Sequence, residues 1–198
     1  MDSYKKIRKK LESALDAERF EHTLGVAKTA QLMACLYGYN PDKAYLAGLL
    51  HDCAKNIPNK EKIKLCKNNN IELTSIELDN PSLIHAKAGT VVAHDDYKID
   101  DVDILDAIAS HTTGKPGMTL LQMIIFIADY IEPGRPLREG LNEIRAMAMN
   151  YTEEYALEKT IVLIIENTLS YLKDSAKLID PTTTDTFNYY KNIIGGKS

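Results

Sequence analysis

Paired signals for helix starts recur along this sequence, and they constrain its fold more than any other feature. Asn40-Pro41 and Asp180-Pro181 each place an N-cap residue directly before a proline at the first helical position. Thr119 precedes an apolar run that ends before Glu132-Pro133-Gly134, where proline and glycine break a helix. Alternating strand-like runs are missing, and no Asn-Gly or Asp-Gly hairpin lies between β-branched segments. The sequence therefore predicts an all-α protein.

The expected architecture is one compact bundle of many helices. A chain of 198 residues is long enough for a domain with a substantial core. No internal repeat, low-complexity tract or long linker divides it, so we expect a single domain over residues 1–198. The expected helices cover residues 3–17, 20–38, 41–53, 59–69, 82–97, 101–112, 119–131, 137–149, 152–176 and 181–193.

Charge and hydropathy exclude several classes of partner. The net charge of −4 gives no basic excess that would bind a nucleic-acid backbone. The longest fully apolar run, 123–128, is far shorter than the ~20 residues that span a bilayer. Three cysteines without a CxxC pair, and no secretory signal, indicate a reducing compartment. We expect a cytoplasmic protein with no nucleic-acid and no membrane partner.

Asp129 carries the strongest physical argument for a functional site. It lies near the end of the helix expected over 119–131, which is apolar on nearly every face. Burying an unpaired carboxylate is very costly, so Asp129 must meet a metal, a cation or strong hydrogen-bond donors. A structural ion pair with Arg135 or Arg138 is the alternative interpretation.

Four histidines and a second aspartate are placed to complete a metal site. His51 and Asp52 are adjacent and close an apolar segment, while His22, His85 and His111 lie on or beside other helices. Each has a plainer interpretation, either as a core histidine or as a group that complements a helix terminus. Imidazole and carboxylate together suit divalent metals, and helical bundles build such sites from facing helices. The combined pattern favours a central metal site.

Several local segments extend this pattern into a family resemblance. The segments that carry it are 19–26, 51–55, 111–118, 127–135, 167–169 and 179–181, which include His51-Asp52, HTTGKPGM and ADYIEPGR. Together they resemble the HD-domain metal-dependent phosphohydrolases, and within them the YqeK-like branch. The similarity spans residues 19–190, which is nearly the whole chain.

The resemblance implies a symmetrical bis(5′-nucleosyl)-tetraphosphatase. Such an enzyme hydrolyses diadenosine tetraphosphate (Ap4A) to two molecules of ADP. The branch binds iron, and the wider superfamily also uses Mn, Mg, Co or Ni; one or two ions remain possible. By motif position the implied metal ligands are His22, His51, Asp52 and Asp129.

The remaining expected site residues act on the substrate. Asp52 would bridge two metals or orient the attacking water, and Lys55 would neutralise a phosphate as a point charge. His85 and His111 match positions that hold a second metal in many HD enzymes, or else contact phosphate. The residues implied to contact the nucleotide are Arg19, Thr112, Arg135, Lys173 and Lys177. For Arg135, an ion pair with Glu132 or Glu139 is the alternative.

Other functions stay open at this point. One is a different HD phosphohydrolase: a 5′-nucleotidase, a dNTPase or a guanosine tetraphosphate (ppGpp) hydrolase. Another is a non-catalytic module that senses nucleotides, although such a module need not keep every ligand. Exposed helix faces also make a homodimer plausible.

Overall fold

The computed structural model describes residues 2–196, which form eleven α-helices and contain no β-strand. The all-α prediction is therefore confirmed over this part of the chain. In chain order the helices are α1 (Asp2–Ala14), α2 (Ala17–Leu36), α3 (Pro41–Leu50), α4 (Asn59–Asn68), α5 (Ser75–Asp79), α6 (Ile84–Tyr97), α7 (Val102–Ser110), α8 (Leu120–Ile131), α9 (Leu141–Met149), α10 (Ala156–Asp174) and α11 (Pro181–Gly195).

The predicted capping residues begin the helices that they were expected to begin. The side chain of Asn40 accepts hydrogen bonds from two backbone N–H groups in the first turn of α3. Asp180 caps α11 by accepting the backbone N–H of Thr182. At α8, Thr119 and Gln122 form a capping box, in which each side chain bonds the backbone N–H of the other residue. These caps satisfy backbone donors that a helix leaves without partners.

The structure corrects the sequence-based helices at two points that matter for the site. The helix expected over 41–53 ends at Leu50, because tight turns follow in which the N–H of Cys53 bonds the carbonyl of Leu50. The helix expected over 101–112 likewise ends at Ser110. His51 and His111 are therefore C-cap residues rather than residues inside a helix.

Helix α5 is an element that the sequence interpretation missed. It has five residues, too few for a hydrophobic period to show. Its start does carry a local signal, because Thr74 and Glu77 form a capping box. That spacing of threonine and glutamate could have revealed the helix.

Helix α8 lies at the centre of the bundle and positions the site. It packs against α2, α3, α7, α9 and α10. Ile124, Ile125, Ile127 and Ala128 are fully buried within the hydrophobic core. The last turn of α8 carries Asp129. The packing of α8 therefore fixes this carboxylate close to α2, α3 and α7.

No helix within the described residues combines the length and apolar character needed to cross a membrane.

Candidate metal centre

All six predicted cluster residues meet at the centre of the bundle. His22 comes from α2, His51 and Asp52 from the turn after α3, His85 from the first turn of α6, His111 from the end of α7 and Asp129 from α8. His51, Asp52, His85 and His111 are buried. The sequence indicated these residues separately, and the fold brings them together.

Asp52 faces imidazoles with both of its carboxylate oxygens. Its Oδ1 lies 3.0 Å from Nε2 of His85 and 3.5 Å from Nε2 of His111. Its Oδ2 lies 3.5 Å from Nε2 of His51 and 2.9 Å from Nη1 of Arg19. The carboxylate therefore lies between two groups of potential metal ligands.

Asp129 occupies the other side of His51. Its Oδ1 lies 2.9 Å from Nε2 of His22, without hydrogen-bond geometry, and 3.7 Å from Nε2 of His51. Arg135 donates from Nη2 to the same oxygen at 2.5 Å and from Nε to the backbone carbonyl of Asp129 at 2.9 Å. Arg135 thus pairs with Asp129, as the alternative interpretation of the aspartate foresaw, and not with Glu132 or Glu139.

Each imidazole of the cluster is oriented by a hydrogen bond at Nδ1. In His51, His85 and His111 this atom donates to the backbone carbonyl three residues earlier, at 2.7, 2.5 and 2.7 Å. In His22 it donates to Oε1 of Glu132 at 3.0 Å. Because these oxygens only accept, Nδ1 carries the proton of the neutral ring and Nε2 presents a lone pair to the cluster.

The cluster has the properties of a metal site. Two sets of three ligand atoms lie within 4.8 Å of one another: His22, His51 and Asp129 in one set, and His51, Asp52 and His111 in the other. Nε2 of His22, Nε2 of His51 and Oδ1 of Asp52 are buried without a hydrogen-bond partner. Converging buried lone pairs are unfavourable unless a cation lies among them. Imidazole with carboxylate is a donor set that suits divalent transition metals.

The electrostatics of the cluster keep both carboxylates ionised. Burial opposes ionisation of Asp52, but the imidazoles of His51, His111 and His85 around it hold the pKa of its carboxyl well below the usual range. Burial also opposes ionisation of Asp129, and its neighbours His22, His51 and Arg135 lower the pKa of that carboxyl. Two ionised carboxylates give the site the charge that a divalent cation needs.

Histidine 85 differs from the carboxylates because it favours its neutral form. Burial lowers the pKa of His85 to about 4, although the adjacent Asp52 raises it. Its Nε2 lies 3.1 Å from Nε2 of His111. Both rings therefore offer lone pairs toward the same point, as a ligand pair would.

A group of cationic side chains lies next to the carboxylates. Lys55 places its Nζ 3.7 Å from Oδ1 of Asp52 and 3.2 Å from Nε2 of His85. Burial lowers the pKa of the Lys55 ammonium. With Arg19 and Arg135, it places positive charge beside the two carboxylates.

A groove of about 660 Å³ opens beside the cluster. His22, Arg19 and Arg135 line it, so two of the residues predicted to bind the nucleotide face this groove. Thr112 lines a different cavity of about 210 Å³. Lys177 donates to the hydroxyl of Tyr171 on an exposed surface at the end of α10, and within residues 2–196 no hydrogen bond or ion pair joins it or Lys173 to the cluster.

Glu132 is a residue of the site that the sequence interpretation missed. Its side chain is buried, and it contacts His22, which is 110 positions away in the chain. The sequence interpretation considered Glu132 only as a partner for Arg135. A glutamate directly after a long apolar helix was the available signal, but nothing local identified its partner.

Comparison with known proteins agrees with this geometry. The model of the HD domain family matches residues 19–134. A Bacillus subtilis protein named symmetrical bis(5′-nucleosyl)-tetraphosphatase is 36% identical over 94% of this chain and 95% of that relative. A protein of the same name from Halalkalibacterium halodurans is 36% identical over 88% of this chain and 89% of that relative. The crystal structure of a predicted HD superfamily hydrolase involved in NAD metabolism, from Clostridium acetobutylicum, is 39% identical and superposes with a TM-score of 0.90 over 96% of this chain and 97% of that one. The chain therefore belongs to the HD-domain family, and its fold is the all-α HD bundle that the sequence predicted.

Proposed function

We propose that this protein is a metal-dependent hydrolase that cleaves Ap4A symmetrically into two molecules of ADP. The observation that carries the proposal is the convergence of four imidazoles and two carboxylates beside a groove lined by arginines. The substrate follows from the two relatives named above, which match nearly the full length of this chain. Hydrolysis of a phosphoanhydride is the reaction that such a site supports best.

His22, His51, Asp52 and Asp129 would hold the metal, for which we propose iron. The buried lone pairs of His22 and His51 and the free Oδ1 of Asp52 support this assignment. A metal held there supplies a Lewis acid for a phosphoryl oxygen and lowers the pKa of a coordinated water. His85 and His111 face Oδ1 of Asp52, so they either hold a second ion or bond a phosphate oxygen.

The cationic residues would hold the tetraphosphate chain. Its negative oxygens repel an incoming nucleophile, and Arg19, Arg135 and Lys55 offset that charge. The planar guanidinium groups suit bidentate binding of phosphate oxygens, whereas the ammonium of Lys55 acts as a point charge. Asp52, which stays ionised, accepts a hydrogen bond from the attacking water and orients it.

The position of the cut follows from how one half of the substrate is held. If one nucleotide half occupies the groove beside His22, a central phosphorus would lie next to the cluster. The water oxygen bonds to that phosphorus, and the bridging oxygen leaves with the other half. Both products are then ADP, so the symmetry of the reaction depends on the depth of the groove.

Separate incubations with Ap4A, ATP, dATP, AMP and ppGpp test this function. The metal-loaded protein should release ADP from Ap4A and turn over the other four compounds slowly. Release of phosphate products from a mononucleotide or from ppGpp, with Ap4A left intact, would support a different HD phosphohydrolase and would contradict the dinucleotide substrate. Absence of turnover on all five would favour a nucleotide-sensing module.

Two further statements about the protein remain predictions. A cytoplasmic location rests on the cysteine pattern of the sequence. The prediction of a homodimer rests on the exposed helix faces, and analytical ultracentrifugation of the purified protein would test it.

A further inference from the structure

Glu132 is a buried carboxylate with two specific hydrogen-bond donors. It caps the end of α8, three residues after Asp129, and only 3% of it is exposed. Oε1 accepts from Nδ1 of His22 at 3.0 Å, and Oε2 accepts from the backbone N–H of Gly134 at 2.6 Å. Burying a carboxylate costs free energy unless it is hydrogen-bonded in this way. The presence of Glu132 at this buried position therefore calls for a functional explanation.

His22 requires an outside partner because of its place in a helix. His51 and His111 follow the last turns of α3 and α7, where backbone carbonyls lack intrahelical partners and can accept from Nδ1. His22 lies inside α2, whose carbonyls near it are used by the helix itself. The fold therefore offers His22 no backbone acceptor of the kind that orients the other rings, and Glu132 takes that place.

Two glycines provide the space that the Glu132 carboxylate fills. A Cβ added at Gly25 would lie 2.4 Å from Oε2 of Glu132, and one added at Gly134 would lie 2.9 Å from the same oxygen. Gly25 stands within α2, where glycine costs about 1 kcal/mol relative to alanine. Its backbone does not require glycine, so the close approach of Glu132 is the structural reason for it.

Arg145 fixes the backbone from which the Glu132 side chain extends. Its Nε donates to the carbonyl of Ile131 at 2.9 Å, and its Nη2 donates to the carbonyl of Glu132 at 2.8 Å. The end of α8 is therefore tied to α9 at the point where the carboxylate begins. Glu132 reaches His22 from a fixed position.

We propose that Glu132 is a positioning residue that keeps the proton of His22 on Nδ1, so that the Nε2 lone pair faces the metal. The inference rests on the proposed metal site. Glu132 would not touch the metal, and both of its carboxylate oxygens already accept hydrogen bonds, from His22 and Gly134, at the wall of the groove. Outer carboxylates that bond a ligand histidine fix its tautomer and orientation, and their loss typically weakens metal binding about 10–100-fold.

Titration of the metal-free protein with Co²⁺ tests the effect on binding. Glu132→Ala should weaken Co²⁺ binding about 10–100-fold. Glu132→Gln should weaken it less than Glu132→Ala does, because the amide oxygen that remains can still accept from one of the two donors. Gly25→Ala keeps the carboxylate but displaces it, so this variant should also bind more weakly. Gly195→Ala is the matched control: a Cβ there meets nothing within 4 Å, and binding should not change.

The ring nitrogen signals of His22 provide a readout that loss of structure alone would not produce. In metal-free protein at alkaline pH, ¹⁵N NMR should show His22 as the Nδ1–H tautomer. In Glu132→Ala and Gly25→Ala the Nε2–H tautomer should gain population, while the His51 signals stay unchanged. Assignment uses loss of the signal in His22→Gln.

The outcomes separate the two proposals. Unchanged Co²⁺ affinity and an unchanged His22 tautomer in folded Glu132→Gln and Gly25→Ala would overturn the role of Glu132. Failure of the unaltered protein to bind any metal would instead overturn the proposed metal-dependent function. The tautomer measurement would still decide, in that case, whether Glu132 orients His22.

Discussion

At the scale of single residues, Asp52 joins the two halves of the cluster. One of its oxygens faces His85 and His111, and the other faces His51 and Arg19. No other described carboxylate of the cluster contacts as many of its imidazoles. Removing its charge should therefore affect every ligand at once.

Asp52→Asn should lose metal and activity together. The amide is neutral and turns an N–H group toward imidazole lone pairs or toward Arg19. Since changes that only support a ligand cost about 10–100-fold, loss of a ligand should lower turnover of Ap4A by more than about 100-fold. Metal content after dialysis and the rate of ADP release measure the two effects. Full turnover with metal present would show that the mechanism is not centred on this carboxylate.

Arg135→Ala should retain metal and weaken binding of the substrate. Hydrogen bonds to charged groups contribute about 1.5–3 kcal/mol, and 1.4 kcal/mol is a factor of ten, so KM for Ap4A should rise about 10–100-fold. Arg135→Lys keeps the charge without the planar fork and should recover only part of this loss. Steady-state kinetics with metal analysis measure both. A variant that loses metal at unchanged KM would instead make Arg135 a support for Asp129.

Local sequence patterns indicated the residues of the cluster but not how one of them is oriented. His22 and Asp129 were both identifiable, since each is a polar residue on an apolar helix. The bond from His22 to Glu132 depends on the packing of α2 against the end of α8. That relation joins residues far apart in the chain, so no local period or cap encodes it.

At the scale of helices, the site depends on where helices end. The sequence predicted a helix at the position of each of α3, α7 and α8, and the expected end of α8 is the observed one. It extended α3 and α7 by a few residues, because the turns that end them contain no proline or glycine within the extension. Those extra residues include His51 and His111. The error therefore fell on two residues whose rings are oriented by backbone carbonyls at the helix ends.

Tyr190 links α11 to the loop that follows His111, and Tyr190→Phe tests that link. The buried hydroxyl of Tyr190 accepts the backbone N–H of Met118 at 2.9 Å. Without it the buried N–H loses its partner, so the free energy of unfolding should fall by about 1–3 kcal/mol. Urea denaturation of this variant and of Tyr189→Phe, whose ring is 40% exposed, makes the comparison. Equal effects at the two tyrosines would contradict the link.

At the scale of the whole molecule, the cluster joins helices from α2 to α8. It unites residues from position 22 to position 129, so a bound metal would tie together most of the bundle. A ligand that binds the folded state alone stabilises it by about 2.7 kcal/mol at 100 times its Kd.

Metal should therefore raise the thermal midpoint of the protein. For a chain of this length, 2.7 kcal/mol corresponds to a rise in Tm of roughly 5–10 °C relative to protein in chelator. His51→Ala should abolish the rise. His94→Ala should keep it, because His94 is exposed and pairs with Asp95 and Asp100 at the surface. Scanning calorimetry of the three proteins measures the shift, and a shift in His51→Ala equal to that of the unaltered protein would place the metal elsewhere.

Symmetrical cleavage is tested most directly by hydrolysis of Ap4A by metal-loaded protein in heavy-oxygen water, followed by mass spectrometry of the products. We expect ADP as the sole product, with one heavy oxygen on the terminal phosphate of one ADP from each Ap4A. ATP together with AMP would contradict symmetrical cleavage and the position assigned to the substrate.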